Sequence, residues 1–247
     1  MKQTRSKAFI LLIGIALSCT PHKKAQEDDP QKKDGVIKSY RKNGTLFSEV
    51  TMKNGLRNGV SRNFFANEKV SIEANYKDEK KDGVYRQFYE DGTLMKEIEY
   101  KEDLIDGLSK KFRNDGKPAW QARFRNDSPC LGLVEYYLNG TKKTEYPTIV
   151  IETVDRIKDL GEFTLNIRMS DGTTTVTFYE GQLTPSGCFD QLKTREIVPQ
   201  KKGKCSLEYH LVPGTFVMEE LHIIAVVKTA QSNSYVATTS YNLSISN

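Results

Sequence analysis

The chain has 247 residues, 37% of them hydrophobic and 28% charged, a balance that excludes a multi-span membrane protein. With 17 Gly and 8 Pro it is neither collagenous nor of low complexity, and 12 Tyr with 11 Phe are too many for a disordered chain. The formal charge of +5 falls to +2 if the segment holding Lys2, Arg5 and Lys7 is removed, too little to argue for nucleic acid.

Lys2, Arg5 and Lys7 form a basic start, and Ala8 to Leu17 is an apolar run. Ten helical residues rise about 15 Å, half of a bilayer core near 30 Å, so a cleaved signal peptide over 1–18 is expected rather than a span. Ala16-Leu17-Ser18-Cys19 resembles the lipobox of bacterial lipoproteins. That resemblance implies a lipid anchor on Cys19, with palmitate-type acyl chains each contributing about 0.8 kcal/mol per buried CH₂. Thr20 in place of Asp then implies the outer membrane; plain secretion is the alternative. Residues 19–34 carry no large apolar side chain after Cys19 and read as a tether. Within it Glu27-Asp28-Asp29 resembles an acidic surface-export signal, with a solvated linker as the alternative.

From 35 to 143 the sequence repeats every 24 residues. Asp or Asn precedes Gly at Asp34-Gly35, Asn58-Gly59, Asp82-Gly83 and Asp106-Gly107, and Gly132 follows after a one-residue slip. Five residues beyond each Gly stands Tyr40, Phe64, Phe88, Phe112 or Tyr137. A second turn signal recurs at Asn43-Gly44, Asp91-Gly92, Asp115-Gly116 and Asn139-Gly140, broken in the second repeat by Asn67-Glu68. A third series is Met52, Tyr76, Tyr100 and Phe124. Several columns on one period mark a repeat array. Asn-Gly and Asp-Gly suit type I′ turns, so each repeat reads as a two-stranded hairpin. Val84, Arg86 and Phe88 share one strand face, as do Leu94, Lys96, Ile98 and Tyr100. The expectation is an antiparallel ribbon roughly 40–50 Å long, aromatic on one side and polar on the other, with the Phe88 column as its core.

This pattern resembles the MORN repeat variant of bacterial proteins grouped as YwqK-family antitoxins. Gly83, Phe88, Asp91, Gly92, Leu94, Glu97, Tyr100, Asp106 and Gly107 carry the resemblance best. It implies the fold more than a function, because an exported chain cannot neutralise a cytosolic toxin.

Residues 35–143 hold 21 Lys and Arg against 16 Asp and Glu, and 144–247 hold 9 against 12. Lys38, Arg62, Arg86 and Lys110 form a basic column at the repeat step; Glu49, Glu73 and Glu97, then Gln121, form an acidic one. The basic column is a candidate partner-binding stripe. Cross-strand pairing with the acidic column is the competing and favoured arrangement, worth about 0.2–1 kcal/mol per pair.

The period stops at Thr144. Strand-like runs follow at Thr148–Val154, Glu162–Met169, Thr173–Tyr179, Ser206–Val212, Leu221–Thr229 and Ser234–Ser246, bounded by turn residues such as Asp171-Gly172 and Pro213-Gly214. Six or seven strands over 148–247 suggest an immunoglobulin-like β-sandwich, though no Cys-Trp-Cys hallmark is present. The chain as a whole is expected to be all-β. Cys188 and Cys205 bracket a polar stretch and are a candidate disulfide, with Cys130 left over as a thiol on the last repeat.

No Gly-x-Ser-x-Gly, phosphate loop, His-Glu-x-x-His or Cys-x-x-Cys occurs. Neither a cofactor nor a metal is expected, and nucleic acid is not an expected partner. The reading is a non-catalytic, lipid-anchored binding or scaffolding protein of the cell envelope, its repeat sheet docking a protein or glycan. The alternatives are an envelope-polymer hydrolase and an immunity-like protein against an envelope-delivered toxin.

Overall fold

A computed structural model describes residues 34–247. The expected signal peptide, Cys19 and the tether up to Lys33 lie outside the described residues. Eight strands, β1 (Gly35–Tyr40), β2 (Leu46–Lys53), β3 (Leu56–Phe64), β4 (Val70–Lys77), β5 (Lys80–Phe88), β6 (Leu94–Lys101), β7 (Leu104–Phe112) and β8 (Pro118–Arg125), pair antiparallel in chain order. Two short strands, β9 (Ser128–Pro129) and β10 (Val134–Glu135), both pair with β8 and close a ten-stranded sheet.

The hairpins are present, but their tight turns lie elsewhere than expected. Asn58-Gly59, Asp82-Gly83 and Asp106-Gly107 sit inside β3, β5 and β7. The two-residue turns are Asn54-Gly55, Asp78-Glu79, Glu102-Asp103 and Asn126-Asp127, with every φ between 47° and 73°, the type I′ signature. Most of these residues lack the freedom of glycine, and hydrogen bonds to the preceding repeat hold them. Asp103 N–H donates to Lys81 O (2.9 Å) while its carboxylate accepts from Lys81 N–H (2.8 Å); Asp127 does the same with Ile105 (2.9 and 2.7 Å). Glu79 and Arg57 are joined likewise.

The strand glycines form bulges. The ladder shifts register opposite each, and Gly83 and Gly107 have φ of 110° and 133°. A side chain from the facing strand secures each bulge: Thr51 donates to Val60 O (2.6 Å), Asn75 to Val84 O (2.8 Å), and Glu99 accepts from Leu108 N–H (3.2 Å). Tyr76, Tyr100 and Phe124 stand directly opposite Gly59, Gly83 and Gly107. This explains the third sequence series: an aromatic across from a strand glycine covers backbone that the missing Cβ leaves bare.

At the other edge each repeat has a five-residue loop closed by one backbone pattern. The Asx side chains of Asn43, Asn67, Asp91, Asp115 and Asn139 accept from the N–H two residues on. Asn67-Glu68 keeps this turn although it lacks the glycine, with Glu68 at φ 64°. The loops are also stapled to one another: Tyr89 Oη donates to Phe112 O (3.0 Å) and Arg113 Nη2 to Tyr136 O (2.7 Å), while Arg41 reaches Phe64 O and Phe65 O. The slip at Gly132 is absorbed locally. Val134 again faces Gln121, so Tyr136 continues the aromatic column and Tyr137 opens the fifth loop.

The sheet is a single layer. No apolar cluster among the buried residues includes the repeats, and Phe64, Phe88 and Phe112 are only half-buried, with Tyr40 61% exposed. The Phe88 column is therefore not a core. Ladder hydrogen bonds and the staples along both edges order the sheet, with small or slender side chains such as Ala74, Ile98, Ser109 and Ala122 buried along its middle.

After an isolated bridge between Tyr136 and Lys142 the chain leaves the sheet. Strands β11 (Ile149–Arg156), β12 (Glu162–Met169), β13 (Val176–Glu180), β14 (Arg195–Glu196), β15 (Pro199–Lys201), β16 (Lys204–His210), β17 (Phe216–Lys228) and β18 (Ser234–Ser246) follow. They form two sheets, β11-β12-β16-β15 and β14-β13-β17-β18. Phe163, Leu165, Ile167 and Met169 alternate inward from β12 and meet Phe178, Leu221, Ile223, Ala225 and Val227 in one buried core. The described residues are thus nearly all-β, with single helical turns at Ile157–Leu160 and Gln191–Lys193: a long hairpin sheet followed by two sheets sharing a core.

The cysteine pairing expected from the sequence is corrected. Cys188 is bonded to Cys130, and Cys205 is a buried free thiol. Cys205 projects from β16 into the core opposite Ile167, whereas Cys188 lies in the β13–β14 loop facing the last repeat. Cys130 and Cys188 oppose each other in a short antiparallel bridge. Leu131 N–H donates to Gly187 O and Phe189 N–H to Pro129 O (both 2.9 Å), which makes them a non-hydrogen-bonded pair with side chains close together. The closed loop spans 58 residues, for which chain entropy corresponds to about 4 kcal/mol.

Candidate functional site

The charged columns found in the sequence lie side by side on one face. Lys38, Glu49, Arg62, Glu73, Arg86, Glu97, Lys110 and Gln121 are successive cross-strand partners from β1 to β8. Lys38 bonds Glu49 (2.9 Å), Arg62 bonds Glu73 (2.8 Å), Arg86 spans Glu73 and Glu97 (3.3 and 3.0 Å), and Lys110 bonds Glu97 (3.1 Å). All four cations of the candidate stripe are thus engaged, and with three carboxylates among them the face presents a largely compensated ladder rather than a basic strip. Burial pushes the Glu97 carboxyl up. Hydrogen bonds from Lys110 and Arg86 more than reverse that and leave it below the usual carboxylate value.

The opposite face has another character. Register places Arg57, Ser61, Asn63, Ile72, Ala74, Tyr76, Lys81, Tyr85, Gln87, Lys96, Ile98 and Tyr100 on it across β3–β6, without one carboxylate. Tyr85 and Tyr100 meet edge to face at 6.0 Å. Arg57 lies over the Tyr76 ring at 4.3 Å, and Lys81 over Tyr100 at 4.8 Å and Tyr85 at 5.9 Å. Arg57 is also paired with Glu79 at the strand end (2.8 Å). Lys96 and Lys111 face each other on β6 and β7. The sequence columns did not reveal this face because Lys96 and Lys111 stand off the 24-residue step that Arg57 and Lys81 keep; only cross-strand register brings the four together.

A third feature is the junction of the repeats with the sandwich. Glu135 on β10 is 2% exposed. Its Oε1 accepts from Thr229 Oγ1 (2.6 Å) and Asn233 Nδ2 (2.8 Å) in the β17–β18 hairpin, and Lys143 Nζ lies 3.6 Å from Oε2. Glu135 N–H donates to Tyr146 Oη (2.7 Å), and the Tyr146 ring stacks on Tyr235 at 4.8 Å. With the Cys130–Cys188 bond, these contacts join the last repeat to the sandwich at two points. The buried glutamate looks in sequence like any other strand carboxylate.

The sequence-predicted residues are distributed accordingly. Lys38, Arg62, Arg86 and Lys110 share the ladder, Cys188 belongs to the junction, Cys205 to the sandwich core, and Cys19 lies outside the described residues. Burial pushes the Cys205 thiol up to about 12, so it is inert as a nucleophile. Among the described residues no group of three or more His, Cys, Asp or Glu is arranged to hold a metal ion.

Three segments, residues 33–54, 57–78 and 81–102, match the MORN repeat variant. The same bulges, turns and edge staples continue past the matched segments, through Asn126-Asp127 and the loop at Asn139. No relative among the curated proteins matches the chain.

Proposed function

We propose that this chain, whose first three repeats match the MORN repeat variant, is an exported, lipid-anchored binding or scaffolding protein without catalytic activity of its own. The observation that supports the reading is the single-layer sheet: among the described residues the strands of β1–β5 pack chiefly on their sheet neighbours, and the buried apolar clusters include none of them. A sheet ordered by its backbone and edges, with half-buried aromatics on an open face, suits docking better than enclosing a reaction. Glycan or protein of the cell envelope is the partner class, reached through an anchor at Cys19 on the outer membrane.

The C-terminal unit is read as immunoglobulin-like. In chain order its sheets run first-second-sixth-fifth and fourth-third-seventh-eighth, which agrees with the A-B-E-D and C′-C-F-G arrangement of that fold. It serves as a platform clamped to the last repeat, leaving the first repeats projecting.

Cys19→Ser is expected to move the chain from the membrane to the soluble fraction; a variant that stays with membranes refutes the anchor. A photo-crosslinker at position 100 is expected to give a discrete adduct in envelope preparations. Absence of any adduct, or turnover of peptidoglycan by the purified chain, overturns the binding role.

A further inference from the structure

We propose that the sheet face opposite the charge ladder, over β4–β7, binds an extended anionic polysaccharide, through Lys81, Lys96 and Lys111 with Tyr76, Tyr85 and Tyr100 between them; the carboxylate of Glu135, on the same face at β10, is buried in the junction with the sandwich. This deepens the binding role above and rests on its export reading. Charge arrangement is the first argument. On the ladder face each of the four column cations meets a carboxylate. On this face Lys96 and Lys111 are direct cross-strand partners, an arrangement that destabilises a sheet, and neither has a carboxylate partner among the described residues. The Lys81 ammonium likewise forms no ion pair among the described residues and lies over the Tyr85 and Tyr100 rings, the Asp103 carboxylate being engaged by the Lys81 backbone N–H. The sheet therefore presents positive charge in search of an anion where the alternating pattern was available to cancel it.

Spacing is the second argument. Lys81 lies across from Tyr76 and one strand from Tyr100, and Lys96 is four residues from Tyr100 along β6. At about 3.3 Å per residue that separates the charges by roughly 13 Å, too far for one small anion and suited to a chain with regularly placed acids. Tyr76 and Tyr100 are two strands apart, about 10 Å, so successive sugar rings of one extended glycan chain can reach both. Sheet twist is the third argument. At roughly 20–25° per strand the lysines do not share a plane, so a flexible chain can follow them while a flat bilayer cannot engage them together.

The test uses the full chain, immobilised, with polygalacturonate as probe and dextran, phosphatidylglycerol vesicles and oligo(dT) as comparators, read by biolayer interferometry. Polygalacturonate is expected to bind, dextran not, and binding is expected to weaken as salt is added. Lys96→Glu is expected to weaken binding about tenfold or more while raising the melting temperature, because it creates a cross-strand pair with Lys111. A merely structural lysine would not produce that opposite movement. Tyr100→Ala is expected to weaken binding, and Arg86→Gln on the ladder face to leave it unchanged. The proposal is overturned if polygalacturonate does not bind, if Lys96→Glu binds as the wild type does, or if vesicles or oligo(dT) bind more tightly. Failure of Cys19→Ser to leave the membrane, with polygalacturonate binding intact, removes the anchor and not this site.

Discussion

Replacing Gly107 by Ala isolates the bulge that the repeat glycines build. Gly107 has φ 133°, where an L side chain is strained by about 1–3 kcal/mol. Its new Cβ would stand 2.7 Å from Glu99 Cβ and overlap Glu99 Oε2, so Glu99 must swing aside. The bond it accepts from Leu108 N–H at 3.2 Å is then lost, about 0.5–1.5 kcal/mol, at the low end because Glu99 is exposed. The expected cost is about 2–4 kcal/mol. Gly116→Ala is the matched control. Its φ is 78°, nothing lies within 4 Å of the added Cβ, and Glu68 occupies the equivalent loop position at φ 64°. There the cost is about 1 kcal/mol. Urea unfolding followed by circular dichroism reads both variants, and Gly107→Ala should have the clearly lower midpoint. Equal midpoints would refute the bulge as the reason for the column.

Three further outcomes are expected. Glu135→Ala removes the acceptor of two charge-assisted bonds and strands the Asn233 amide, costing about 3–5 kcal/mol; hydrogen exchange should show protection lost across 229–233, and unchanged protection there sinks the clamp. Cys205, held at about 12 by burial, should resist iodoacetamide at pH 8 in the native chain and react fully in denaturant, as peptide mass mapping would show. The depressed Glu97 carboxyl stabilises the fold above its unfolded value, near pH 4.3, and that contribution disappears as pH falls through the lower folded value. Wild type and Glu97→Gln should therefore melt apart at neutral pH and together near about pH 2, and a gap that persists in acid contradicts the ladder.

The 24-residue period made the hairpin count legible, because strand, loop and bulge each demand particular residues at fixed places. It misplaced the tight turns for a physical reason. Asp-Gly is a strong signal for positive φ, and Gly83 does have φ 110°, but positive φ serves a bulge as well as a turn. The true turns, Asp78-Glu79 and Glu102-Asp103, show little of their conformation in sequence, since hydrogen bonds from the neighbouring repeat hold it. The sandwich strands were visible through the alternation of Leu165, Ile167 and Met169. The short β14 and β15 were not, because two or three exposed residues carry no periodicity.

The cysteine pairing and the lysines of the open face were hidden by one limitation of sequence distance. Cys188 and Cys205 are near in the chain, but Cys188 lies in a loop facing the last repeat and Cys205 projects from β16 into the core, while Cys130 is brought opposite Cys188 from the end of the repeat sheet. Lys81, Lys96 and Lys111 are spaced by 15 residues rather than by the repeat, so they form no column. Alternate strands run in opposite directions, so Lys96 early in β6 and Lys111 late in β7 become partners, and columns at a fixed step find only equivalent positions. The symmetric part of the sheet, its charge ladder, is therefore readable from the period and is largely self-compensated. Whatever distinguishes this array from another of the same repeat must lie in residues that break the period, and the cross-strand lysine pair on the open face is such a departure.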